Sequence, residues 1–255
     1  MNFLIEANTD VGLVKSTNQD SLDLKILHTS QGDIAFGILC DGMGGLASGE
    51  IASAAVIRAF DKWIHTEFFE ICQKNIEDYM IREQWQSLVD HMNQSIKNYG
   101  SRSGVKMGTT VTAILLTEKR YYILNIGDSR IYEICKEAKQ LTKDQTVVAR
   151  EIALGNMTEE EARYDTRRNV LLQCVGASEN VYPEFVFGET KKNAVYMLCS
   201  DGFRHEVSKE EFFQEFQPEN MTNKTVMFQK ITELIERNKQ RGESDNITAA
   251  LIRTF

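Results

Sequence analysis

What the chain lacks narrows its class. No apolar run reaches the roughly 18 residues that a membrane-spanning helix needs. The opening Met-Asn-Phe-Leu-Ile-Glu-Ala carries neither the basic region nor the hydrophobic stretch of a secretory signal. There are two prolines in 255 residues and no low-complexity tract, so nothing reads as a linker and a single domain over 1–255 is expected. Basic residues do not dominate. Lys and Arg number 29 against 37 Asp and Glu, a net charge of −8, which argues against non-specific binding to nucleic acid or to an anionic membrane. The five cysteines (Cys40, Cys72, Cys135, Cys174, Cys199) are odd in number and form no CxxC pair, so reduced thiols in a cytoplasmic protein are expected. His28, His65, His91 and His205 stand at no zinc-ligand spacing with one another or with cysteine. A GxxxxGKS/T phosphate loop and a GxSxG nucleophile elbow are both absent.

What is present centres on Ile38-Leu39-Cys40-Asp41-Gly42-Met43-Gly44-Gly45, an apolar run that meets a carboxylate and then a glycine-rich stretch. The pattern predicts a buried strand ending in a turn, with Asp41 at the strand end and Gly42 allowing close backbone approach. Three further Asp–small-residue turns adjoin strand-like runs: Gly127-Asp128-Ser129, Ser200-Asp201-Gly202 and Ser244-Asp245-Asn246. A lone Asp-Gly or Asp-Asn is usually just a turn. Four at strand ends could supply the oxygen ligands that hard cations such as Mg²⁺ and Mn²⁺ take. A two-metal site needs a bridging carboxylate between ions about 3.5–4 Å apart.

The remaining periodicities place these turns on a mixed scaffold. A helix is expected from Ser48 as N-cap, with Ile57, Phe60 and Ile64 facing the core. A second covers about 78–99, with Trp85, Leu88, Met92, Ile96 and Tyr99 on one stripe as packing residues. Thr109–Thr117, Lys119–Ile126 and Ile131–Ile134 read as meandering antiparallel strands. Over 143–170 the chain turns charged. Asp144 is a candidate cap for a helix through Leu154, and Thr158 with Glu161 forms a capping box, an excursion beside the sheet. Strands return over 182–200, Ser208 with Glu211 makes a second capping box, and a helix over 223–241 turns Met227, Ile231, Leu234 and Ile235 inward. Asn246–Arg253 is the final strand. Strands and helices in separate blocks suggest α+β layering, sheets packed together with helices outside.

In order the chain carries TDVGLVKSTNQD, CDGMGG, MGTTVTAILL, NIGDSRIY, LTKDQT, RRNVLLQCVG, LCSDGF and SDNITAALI. This series, from residue 9 to 252, resembles the protein phosphatase 2C family, metal-dependent serine/threonine phosphatases, in its bacterial form. The resemblance implies a four-layer αββα sandwich of two antiparallel sheets flanked by helices, with a binuclear site at one end. It implies Mn²⁺ or Mg²⁺ as cofactor, two ions with a weaker third. Asp41 would bridge both ions and Gly42 would give one its carbonyl. Asp201 and Asp245 would hold the other, and Asp20 would bind metal or its waters. Asp128, with Asp201, matches the third-ion position, with Asp144 the lesser candidate. Residues 145–170 match the family's flap beside the substrate groove. The implied reaction is hydrolysis of phosphoserine and phosphothreonine by a water bridging the two ions, with no cysteine or serine nucleophile. Cys40 and Cys199, close to ligands in sequence, would point to the opposite face as core.

Three positions depart from the family pattern. Lys15 stands where an arginine usually grips substrate phosphate, keeping the charge but losing the bidentate fork. Gln19 replaces a common glutamate. Met43 replaces the histidine that acts as general acid in animal members, which leaves proton delivery to water or another group. Ser129 and Arg130 read as structural. Phosphorylated proteins are the expected partners, among them a cognate serine/threonine kinase and its targets, with the chain acting as a monomer. The alternatives are a catalytically weak phosphatase-like domain that binds phosphoprotein or scaffolds a partner, and a two-metal nuclease, which the absent basic stripe disfavours.

Overall fold

The architecture is two antiparallel sheets packed face to face between two helical layers, seen in a computed structural model. It describes residues 1–30, 32–44, 48–73 and 75–255; Gly45 of the central motif therefore lies outside the described residues. One sheet has the order β1-β11-β10-β7-β8, from strands Phe3–Asp10, Ile247–Thr254, Val195–Cys199, Arg130–Ile134 and Ala138–Gln140. The other runs β2-β3-β5-β6-β9, from Asp20–Thr29, Gly32–Gly44, Val111–Leu116, Arg120–Ile126 and Glu184–Glu189, with β4 (Met107–Thr109) paired to the end of β3.

Period-two alternation distributes the side chains among three cores. Along β3, Ile34, Phe36, Ile38 and Cys40 face α1 (Gly49–His65), α2 (Glu67–Ile71) and α3 (Asp78–Ser103). Phe36, Phe60, Trp63 and Trp85 meet there with ring centroids 5.7–6.5 Å apart. Each such buried aromatic contributes roughly 2–3 kcal/mol relative to exposure. Ala35 and Leu39 face the other way, into an inter-sheet core with Leu198, Ala250 and Ile252. In the second sheet Val195, Met197 and Cys199 pack on α6 (Asp201–Arg204), α7 (Lys209–Glu215) and α8 (Lys224–Gln240). Cys40 and Cys199 are thus core on the helix-facing sides, as alternation predicts, and all five cysteines are free thiols. Among the described residues no helix is long and apolar enough to cross a membrane.

Both capping boxes form, Thr158 with Glu161 opening α5 (Glu159–Tyr164) and Ser208 with Glu211 opening α7. Elsewhere tertiary partners override the local signal. Ser48 precedes α1 but makes no side-chain cap. The helix over 147–153 (α4, Val147–Ala153) is capped by Thr146, whose hydroxyl accepts from the N–H of Ala149; Asp144 is engaged elsewhere. Helix α3 runs past residue 99 to Ser103 and stops where Gly104 turns left-handed, and Tyr99, expected inward, is half exposed. Strand β3 does not end at Asp41. It continues to Gly44 because β4 supplies a partner for Gly42, Met43 and Gly44. The expected single strand Thr109–Thr117 is interrupted at Thr110, which gives its N–H to the carbonyl of Asp41 at 2.9 Å and receives the Asp41 N–H on its hydroxyl at 2.8 Å.

Candidate metal centre

Alternation on the inter-sheet face puts carboxylates at one end of the sandwich. Asp20 opens β2 and stands directly opposite Asp41 in the β2–β3 register. Two like charges facing each other across an antiparallel pair repel, so the pairing favours a cation between them. Asp128 follows β6, Asp201 follows β10 as the first residue of α6, and Asp245 precedes β11. The Ser200-Asp201-Gly202 segment is therefore the start of a short helix, not a turn.

These buried carboxyls act on one another through their charges. Burial pushes the Asp41 carboxyl well above the usual range, and the charges of Asp20, Asp201, Asp128 and Asp245 push it further. Asp20 is raised to about 7 by burial and by Asp201 and Asp245, against the opposing hydrogen bonds from Thr248 and Ser200. Asp128 is raised to about 7 by burial and by Asp201, with Arg204 pulling the other way. As they lie, no three His, Cys, Asp or Glu side chains among the described residues close around a single point. Two oxygens decide whether a cation fits: Asp20 Oδ1 and Asp201 Oδ1 are buried without any hydrogen-bond partner. An unpartnered buried carboxylate oxygen costs free energy unless a cation meets it. Hard oxygen donors with unspent lone pairs suit Mg²⁺ or Mn²⁺.

The backbone is shaped to this end. A Cβ on Gly42 would lie 2.3 Å from the carbonyl oxygen of Gly49 and 2.6 Å from that of Gln19, so only glycine lets α1 start against β3 here. Gly12, at φ +79°, sits with its Cα against the Asp245 backbone; an added Cβ would be 2.3 Å from that carbonyl oxygen. The loop it belongs to is held by Asn246, whose amide donates to the carbonyls of Val11 and Thr17 at 2.9 and 3.2 Å. That clamp carries Lys15, whose Nζ lies 2.9 Å from Asp245 Oδ1. Partial burial opposes the Lys15 charge, but the bond to Asp245 and the charges of Asp245, Asp41 and Asp201 more than offset it, and its pKa is raised. Lys15 therefore points into the acidic cluster. Gln19 does not; its amide Nε2 reaches Glu50 Oε2 at 3.3 Å. Met43 pairs with Gly108 and brings no titratable group.

Three residues that the sequence did not single out complete the surroundings. Glu243 is buried and accepts the N–H groups of Ser244 and Asp245 on Oε1 at 2.7 and 2.8 Å, fixing the Asp245 turn. Its Oε2 lies 3.1 Å from Nδ1 of His205, whose Nε2 is 3.5 Å from Asp201 Oδ2. Burial opposes a charged His205, but Glu243 and Asp201 raise its pKa overall. Glu243 is held below the usual range because the His205 and backbone bonds outweigh its burial. Arg204 touches Asp128 and Asp144. Asp144, the lesser candidate, spends both oxygens on the Arg130 fork, at 2.8 and 2.6 Å. Arg130 is structural in that sense, and Ser129 is fully buried beside the hydroxyl of Thr110.

Known proteins share the pattern across the whole chain. The family model described as Protein phosphatase 2C matches residues 14–251. A Streptococcus pyogenes chain described as of the protein phosphatase 2C type is 32% identical over 251 residues, spanning 97% of this chain and 96% of its own. The serine/threonine phosphatase of S. agalactiae superposes with a TM-score of 0.85 at 27% identity, with all of both chains covered. The catalytic domain of the serine/threonine phosphatase PstP, solved with two manganese ions, superposes with a TM-score of 0.77 at 28% identity over 98% of this chain and 97% of that one.

Proposed function

The chain belongs to the protein phosphatase 2C family, and from that footing we propose that it hydrolyses phosphoserine and phosphothreonine in proteins with two Mn²⁺ or Mg²⁺ ions. Asp41, the backbone of Gly42, Asp20, Asp201 and Asp245 would hold the ions. Bound there, the ions supply Lewis acidity toward the phosphoryl oxygens and lower the pKa of water near neutrality. The observation that carries this reading is the pair of buried, unpartnered oxygens, Asp20 Oδ1 and Asp201 Oδ1.

The chain's own groups bind and orient. Lys15 stands at the lip of the acidic cluster, 41% exposed along its side chain, so its ammonium can turn from Asp245 to a substrate phosphate. Thr248 and Ser200 orient Asp20, and Glu243 orients the turn of Asp245. No thiol takes part, since Cys40 and Cys199 face away. With Met43 at the position of the animal-type acid, protonation of the departing serine or threonine oxygen falls to solvent. Residues 145–170, carrying α4 and α5, would border the substrate groove. Cytoplasmic phosphoproteins, including a serine/threonine kinase and its targets, are the proposed substrates.

The test is phosphate release from a phosphothreonine peptide. Mn²⁺ should support it, EDTA should abolish it, and Asp201→Asn should lower it by about 100-fold or more. Release that persists in EDTA would overturn the reading.

A further inference from the structure

Among the carboxylates of the centre Asp128 is the one beside a buried arginine, whereas the cation on Asp245 is the partly exposed Lys15 and that on Asp201 the imidazole of His205. Arg204, the last residue of α6, turns inward with its side chain only 14% exposed. Its Nη2 donates to the Asp128 carbonyl at 3.1 Å and lies 3.4 Å from Asp128 Oδ2. The same nitrogen is 3.5 Å from Asp144 Oδ2, but Asp144 is already bound by the Arg130 fork and by Gln140 Nε2 at 3.2 Å. Arg204 is thus shared between Asp128 and an Asp144 that already has its own arginine. The Arg204 Nε is buried without a partner, so among the described residues the guanidinium is held only through Nη2. Asp201 and Arg204 are three residues apart on one short helix, and residues at that spacing share a face. The helix that presents Asp201 to the centre therefore presents a fixed positive charge beside it.

We propose that Arg204 is a built-in cation that takes the place of a third metal ion, so that this chain binds two divalent ions and not three. A metal ion at Asp128 would have to sit against the guanidinium or displace it, leaving a permanently charged buried group with only Asp144, already neutralised by Arg130, as its acid partner, which is unfavourable. The inference rests on the two-ion reading above, and ion counting separates the two.

Equilibrium dialysis against excess Mn²⁺, with bound metal measured by mass spectrometry of the whole chain, should give two ions for the wild type. Arg204→Gln, its fold checked by circular dichroism, should gain one further, weaker ion. Asp128→Asn, made in the wild-type background, should leave the count at two because no ion depends on Asp128. A wild-type count of three overturns the role of Arg204 while leaving the two-ion reading standing. So does a folded Arg204→Gln that stays at two, or an Asp128→Asn that loses an ion. A wild-type count below two overturns both.

Discussion

The hydroxyl of Thr248 donates to Asp20 Oδ2 at 2.5 Å, joining β11 of one sheet to β2 of the other at the carboxylate end of the sandwich. With Asp20 ionised, the donor order follows. An ionised carboxylate only accepts, so Thr248 gives its proton to Asp20 and accepts from Thr9, 2.7 Å away, which in turn accepts from Asn18 at 2.8 Å. The chain holds one oxygen of Asp20 and leaves the other, Oδ1, without a partner. Thr248→Val, of equal shape but without the donor, should weaken Mn²⁺ binding about tenfold, the usual cost of removing an outer orienting bond. Thr248→Ser should restore it. Titration calorimetry that finds equal affinity in wild type and the valine variant would remove Thr248 from this role.

Stability of the metal-free chain should fall as pH rises. Asp20 and Asp128 have folded-state values near 7, against an ordinary 3.8. A group with a raised folded pKa contributes stability below its unfolded value and loses that contribution as pH climbs to the folded one. The window is thus about pH 4 to 7. In EDTA the melting temperature should drop across it by roughly 5 °C, and Mn²⁺ should recover most of the loss at pH 7.5. A flat metal-free profile would mean that neither burial nor the neighbouring carboxylates raise these groups.

Lys15→Ala should raise KM for a phosphopeptide about tenfold, the scale of a lost charge-assisted hydrogen bond, with a smaller change in kcat. Mn²⁺ affinity should hold or improve, since Asp245 loses a competing ion pair. A fall in kcat with unchanged KM would place Lys15 outside phosphate binding.

Glu243→Ala removes the acceptor for two backbone N–H groups and the partner of His205. Stability should fall by about 1–3 kcal/mol, read by denaturant unfolding with metal removed, and Mn²⁺ affinity should fall with it as the Asp245 turn loosens. Glu243→Gln keeps one acceptor oxygen and should lose less of both. Equal losses in the two variants would show that the turn does not depend on that oxygen.

Much of the fold was legible because its signals are local. Apolar runs ending in Asp marked β3 and β10, spacing marked both capping boxes, and the stripe of Met227, Ile231, Leu234 and Ile235 marked α8. The site was legible as a set of residue types but not as an arrangement. That Asp20 faces Asp41 depends on the register of β2 against β3, which neither segment specifies alone. Arg204 and Asp128 are 76 residues apart, and no pattern near either indicates their contact. Glu243 had one available signal, its position two residues before Asp245, and it reads otherwise as a surface acid. Asp144 misled for the opposite reason. Its position near a helix start suggested a cap, whereas the arginine fork that claims it lies 14 residues back on a neighbouring strand. Local grammar prevails where no buried partner competes.

The alternation along β3 and β10 also has a chemical corollary. Cys40 and Cys199 lie one and two residues from carboxylates of the centre, yet each is fully buried on the far side of its sheet. Burial holds the Cys40 thiol well above its usual range, and raises Cys199 to about 11. Peroxide and alkylating reagents attack the thiolate, which neither residue forms near neutral pH. Dephosphorylation by this chain should therefore persist through oxidant exposure that silences any hydrolase relying on a cysteine nucleophile, leaving a cell under oxidative stress one means of erasing its phosphorylation signals.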